Sequence, residues 1–119
     1  MIERDEQVLV INWAKQNEGM HPQLKLLNGS LNGVVLPIGL AKKAKASGMK
    51  AGYPDLSLPV QMNGYGGLFI ELKTDIGVVQ PNQKIWLYEL NLYGNLAVVC
   101  RGHIAAIQTI KDYLKILGE

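Results

Sequence analysis

Apolar positions at Leu9, Val10, Trp13 and Ala14, with no Gly or Pro between Glu3 and Gln16, predict a first helix over 3–16. Gly19 and Pro22 break it. Residues 23–27 read as a short strand or the end of a turn, and Asn28-Gly29-Ser30 with Asn32-Gly33 as a loop. Alanines 41, 44 and 46 favour a second helix over 38–47, closed by Gly48. The pattern then changes period. Leu56, Leu58 and Val60 alternate with Ser57 and Gln61, and Ile70 and Leu72 alternate with Glu71 and Lys73, which is strand spacing. Between these runs, Met62-Asn63-Gly64-Tyr65-Gly66-Gly67 carries turn chemistry, so the two segments form an antiparallel hairpin. Pro59 inside the first of them suits an edge strand or a bulge.

Pro81 opens a helix to about Leu92, and Gly94 ends it. The nearly continuous apolar run 95–100 suits a central strand covered on both faces. A last amphipathic helix over 103–117 presents Ile104, Ile107, Ile110, Leu114 and Leu117 on one side. Strands flanked by helices in this order give an α/β fold.

Length and composition add a frame. At 119 residues, 48% hydrophobic and 18% charged, the chain reads as one globular domain spanning 1–119. No apolar run is long enough to cross a bilayer and no secretory signal opens the chain, so a cytoplasmic protein is expected. The single Cys100 sits in an apolar strand, where a buried structural thiol is expected. Two histidines and one cysteine are too few for a structural zinc, which leaves a hard-ion site built of oxygens.

That site centres on the hairpin. Glu71 and Lys73 share a face, and a register setting Asp55 opposite Lys73 would bring Asp55 diagonal to Glu71. Two carboxylates plus the backbone carbonyl of Leu72 make a partial shell for Mg²⁺ or Mn²⁺, with Lys73 beside it to neutralise charge on a phosphate. A surface hairpin with a salt bridge would show the same residues. Gln83 falls in the first turn of a helix, near free N–H groups, while Trp86 and Leu90 are spaced as core residues. Lys42, Lys43, Lys45 and Lys50 precede Pro54 and could meet phosphates, or form a solvated helix face. Glu6 projects from the mostly apolar side of the first helix; the helix dipole would equally favour it, as it would Glu3 and Asp5.

The ordered set Gly52-x-Pro54-Asp55-Leu56, Gly67-Leu68-x-Ile70-Glu71-Leu72-Lys73, Gly77 with Gln83 and Trp86, and Tyr93-Gly94 leading to Val98-Val99-Cys100-Arg101-Gly102 resembles the PD-(D/E)XK nuclease superfamily. Within it, the chain is similar to the virus-type replication-repair nuclease domain, VRR-NUC. The resemblance implies a restriction-endonuclease-like core, with a central mixed β-sheet flanked by helices. It further implies a Mg²⁺- or Mn²⁺-dependent DNA endonuclease in which Glu6, Asp55 and Glu71 hold the metal, Lys73 is catalytic and Gln83 assists. Asn32 occupies the place of a family Asn-Gly pair, although Leu31 stands where a proline is common. Stand-alone relatives imply a homodimer acting on branched DNA such as four-way junctions, with no nucleotide cofactor; Tyr65 and Val34-Val35-Leu36 are interface candidates. The alternative is a module of the same fold that binds DNA or a protein without cutting.

Overall fold

The computed structural model describes residues 1–117. Its elements are α1 (Glu3–Asn17), a 3-10 turn (Pro22–Leu26), β1 (Asn28–Gly29), α2 (Ile38–Ala46), β2 (Leu56–Leu58), β3 (Leu68–Lys73), α3 (Pro81–Leu92), β4 (Leu96–Arg101) and α4 (His103–Leu114). The strands form one mixed sheet in the order β1-β2-β3-β4. β2 and β3 pair antiparallel and β3 and β4 pair parallel, with α3 as the crossover between the parallel pair.

The hairpin forms with a longer connection than its alternation suggested. β2 stops at Leu58, because Pro59 has no N–H with which to continue the ladder. Within the 59–67 connection, Asn63 and Gly64 both take positive φ (54° and 85°), and Met62 bridges Tyr65, which is the tight-turn chemistry of an Asn-Gly pair. Tyr65 tilts against Tyr113 of α4 with ring centroids 6.4 Å apart, and Asn63 donates to the Tyr113 carbonyl at 3.0 Å.

Of the two readings open for residues 23–27 the turn holds, and one strand expectation, for β4, changes. Residues 22–26 turn as a 3-10 helix because Pro22 at its start pre-sets helical φ. The apolar run of β4 lies at the sheet edge and not at its centre; helices cover its faces while its outer backbone edge stays unpaired within the sheet, and the central position falls to β3.

Alternation in β3 separates two environments. Leu68, Ile70 and Leu72, with Leu56 and Leu58 beside them, pack against Val10 and Ala14 of α1 and Ala106, Ile110, Tyr113 and Leu114 of α4. Each such leucine or isoleucine contributes about 1.5–3 kcal/mol by leaving water. In α4 the buried stripe is therefore Ala106, Ile110, Tyr113 and Leu114, whereas Ile104 lies exposed at its start and Leu117 lies exposed beyond its end, because the helix stops at Leu114, three residues before the expected 117. The other face of the sheet carries Phe69, Glu71 and Lys73 toward α3 and the start of α1. Cys100 is buried, with its Sγ 3.4 Å from the Thr109 hydroxyl, and burial pushes its thiol up. No helix among the described residues is long and apolar enough to cross a membrane.

Candidate active site

Asp55 and Glu71 meet because of strand register. The pairs Leu56–Ile70 and Leu58–Leu68, continued by one residue, set Asp55 directly across from Glu71, two residues from the Lys73 register expected from the alternation. The next step of the same register sets Pro54 across from Leu72. Leu72 donates its N–H to the Asp55 carboxylate at 2.7 Å, so its carbonyl also faces the β2 side. Proline has no N–H to offer that carbonyl. Pro54 therefore cannot occupy that oxygen.

The third carboxylate comes from α1. Oxygens of Glu3, Asp55 and Glu71 all lie within 4.8 Å of one another. Glu71 is 2% exposed, so its charge is costly. Burial, the Asp55 charge and, to a smaller degree, Glu3 push its carboxyl up to about 8, against the opposing pull of Lys73. A proton or a cation relieves such a cluster. With the Leu72 carbonyl, the donor set is all oxygen, the kind that hard divalent cations take.

Lys73, 5% exposed, places its Nζ 3.6 Å from Glu71 and 3.9 Å from Glu3. Gln83 caps the start of α3, accepting from the Gln80 N–H at 2.8 Å, and its Nε2 donates to Glu71 at 3.2 Å. Glu3, Asp55, Glu71 and Gln83 line a cleft of about 650 Å³ together with Arg4, Gln7, Asn32 and Tyr53, and Lys73 is not among its lining residues.

The VRR-NUC domain model matches residues 3–104. The chain belongs to this family. A solved structure described as a VRR_NUC domain protein superposes with a TM-score of 0.82 at 33% identity, covering 98% of this chain and 90% of that one. No curated protein sequence matches. Family and fold make this VRR-NUC domain nuclease-like.

Against the expectations from sequence, the VRR-NUC domain brings Asp55, Glu71, Lys73 and Gln83 together, while Leu72 is seen to take part through its N–H, which Asp55 accepts. Glu6 is not among them. Its Oε2 accepts from the His103 backbone N–H at 2.6 Å and from the His103 ring, joining α1 to the start of α4. Burial works against its ionisation, but these hydrogen bonds outweigh burial and hold the carboxyl below the usual range. Glu3 takes the place expected of Glu6. The signal was the phase of the buried stripe: Gln7, Val10 and Ala14 are the buried residues of α1, and the same spacing carried back one turn reaches Glu3.

Asn32 lines the cleft and also a smaller hollow that Lys45 borders. Lys42 and Lys43 are exposed on α2 and do not line the cleft. Glu3→Gln is expected to weaken divalent-cation affinity about 10-fold or more with little change in melting temperature, while Glu6→Gln lowers the melting temperature and leaves cation affinity in place. Calorimetric titration beside thermal melts separates the two, and the reverse pattern would return Glu6 to the centre.

Arg101, at the end of β4, supports the site from behind. Its Nη1 reaches the carbonyls of Thr74 and Gly77 at 2.8 Å each and of Asp75 at 3.4 Å, pinning the turn that follows Lys73. That turn matters because Gly77 packs where a Cβ would stand 3.2 Å from Glu3 Oε2 and 3.3 Å from Lys73 Cδ. Arg101→Ala is expected to lower cation affinity or cleavage about 10- to 100-fold, as the loss of a group supporting a ligand does. Arg101→Lys should restore little, since one nitrogen, Nη1, makes all three contacts and the lysine chain is an atom too short to bring its ammonium there. A fully active Arg101→Ala would show that the turn holds its shape without the staple.

Proposed function

We propose that this VRR-NUC domain is a DNA endonuclease dependent on Mg²⁺ or Mn²⁺, in which Glu3, Asp55, Glu71 and the Leu72 carbonyl hold the metal. The observation that carries the reading is the convergence of three carboxylates in one cleft, with the buried Lys73 ammonium 3.6 Å from Glu71. The ion would supply polarisation of a phosphoryl oxygen and deprotonation of water near neutral pH. Lys73 holds a fixed positive charge beside the position where negative charge grows on the phosphate. Gln83 orients Glu71 and, with the open N-terminal turn of α3, offers N–H groups to a phosphate oxygen. Arg4 at the cleft rim adds a cation for the backbone of the strand.

Branched DNA, such as a four-way junction, is the substrate we propose, cut by a homodimer whose two sites are related by a two-fold axis. Val35 and Ile38, 96% and 77% exposed, support a contact between copies near the start of α2. The test is cleavage of labelled four-way junction, flap, single-stranded and linear duplex DNA in Mg²⁺, Mn²⁺ or EDTA, with the mass of the protein measured in solution. Metal-dependent paired nicks in the junction are expected. Binding without cutting in every metal would replace the nuclease with a recognition module.

A further inference from the structure

We propose that the hollow beside the carboxylate cleft, walled by Tyr53 and Trp86, receives an unpaired nucleobase one or two nucleotides from the scissile phosphate. This rests on the nuclease reading above and sharpens it to strands that carry an unstacked base near the cut.

The hollow has a volume of about 480 Å³ and is lined mostly by apolar groups, with Leu31, Met49, Tyr53 and Trp86 as its large side chains and Lys50 at its edge. Tyr53 and Asn32 border both this hollow and the carboxylate cleft, so the two spaces adjoin. Trp86 does not belong to the buried core between the sheet and α1 and α4. It is held in place from elsewhere: its Nε1 donates to the Ala51 carbonyl at 3.2 Å, and its ring meets Tyr53 edge-on with centroids 5.1 Å apart at 80°. Tyr53 is in turn set edge-on to Phe69. Gly52, at φ 90°, allows this approach, because a Cβ there would stand 3.0 Å from Trp86 Cδ1 and 2.8 Å from the Asn82 backbone. The rings are thus positioned in advance of any ligand.

A flat aromatic-walled space suits a nucleobase, since every base offers a π-face to stack. A base still paired in a duplex cannot enter; it must leave its stack first. The Lys50 ammonium at the edge suits the flanking phosphate. Spacing fixes the register. Tyr53 precedes Pro54 and is therefore extended, and two extended residues to Asp55 span about 7 Å. Stacked nucleotides advance about 3.4 Å along a strand and an unstacked one spans more, so the hollow falls one or two nucleotides from the carboxylates.

The chain has two tryptophans, and Trp13→Phe leaves Trp86 as the sole reporter. In that background, Trp86 fluorescence is followed in Ca²⁺ and in EDTA during titration with a short duplex carrying one unpaired nucleotide. The same duplex fully paired is titrated in parallel, and fluorescence anisotropy reports total binding. Quenching is expected with the unpaired nucleotide and not with the paired duplex at equal occupancy. Leu31→Asp, at a position 60% exposed where folding is not at stake, should lower the ratio of unpaired to paired affinity about 5- to 100-fold.

Equal quenching by both duplexes, or an unchanged ratio in Leu31→Asp, would overturn the assignment. So would absent quenching together with a concentration-dependent mass, which would mean that a second copy covers the hollow. Selective quenching in a protein that cuts no DNA would sink the nuclease reading and leave the hollow assigned. Metal-dependent cutting with no selectivity would do the opposite.

Discussion

Lys73→Met is expected to give a folded protein that cuts DNA about 100- to 1,000-fold more slowly than the parent, the loss seen when one charge-stabilising group is removed from a reacting centre. Methionine keeps an unbranched apolar stem in a position that is 5% exposed, so no large cavity opens. What disappears is the cation that stands 3.6 Å from Glu71 and 3.9 Å from Glu3. Without it the Glu71 carboxyl moves further up, since Lys73 is the group pulling it down. The cluster then holds a proton more firmly against an incoming metal. Single-turnover cleavage with a thermal melt on the same preparation checks this. Parental rates in a folded Lys73→Met would falsify the site assignment. Asp55→Asn is a companion test: it keeps an acceptor for the Leu72 N–H, so lost cleavage there reports on the ligand and not on an orphaned strand hydrogen bond.

The second large effect concerns acidity. Glu71 is raised from 4.5 to about 8 in the metal-free fold, first by burial and then by the Asp55 charge. The folded protein therefore holds a proton that the unfolded chain releases between pH 4.5 and 8. Its stability is greatest below the unfolded value and falls as pH rises through the folded one. Each tenfold difference in proton affinity between the folded and unfolded chain is worth about 1.4 kcal/mol, and about 1 kcal/mol moves the melting temperature of a domain this size by roughly 4 °C. In EDTA, the melting temperature should drop by more than about 4 °C between about pH 5 and about pH 8.5. Glu71→Gln should flatten that slope. Adding Mg²⁺ or Mn²⁺ at the alkaline end should restore stability to the parent and not to Glu71→Gln, because an ion that binds only the folded state stabilises it by mass action. A melting temperature that is flat or rises with pH in EDTA would mean that the carboxylates are not crowded as described.

Much of this was legible from residue order. Alternation around Glu71, the turn at Asn63-Gly64 and the Pro81 start of α3 place the hairpin, its turn and the helix that brings Gln83 to Glu71. The register itself was not legible, because alternation fixes which face a residue takes and leaves shifts of two open. Glu6 drew attention as a carboxylate beside Val10 and Trp13, yet the buried stripe runs through Gln7 and ends at Glu3. A small difference in helical phase separates a carboxylate in the cluster from one in an interhelix hydrogen bond. The Arg101 staple had no visible signal, since its acceptors are main-chain carbonyls 24 to 27 residues away and any sequence supplies those. Edge and centre are likewise indistinguishable in β4, because an edge strand roofed by helices is as apolar as an inner one.

The proline before Asp55 bears on how such a domain could lose its chemistry over generations. Pro54 has no N–H to offer the Leu72 carbonyl, so if that oxygen holds the proposed metal, a codon change at 54 that restored an N–H could extend the hairpin and take the oxygen out of use. A lineage carrying the proposed activity could then lose it through a gain of stability and not through damage, leaving every acid and the lysine in place. A catalogue of intact acidic motifs would then overcount the working nucleases among such domains, and the residue at this one position would sort the living from the fossil.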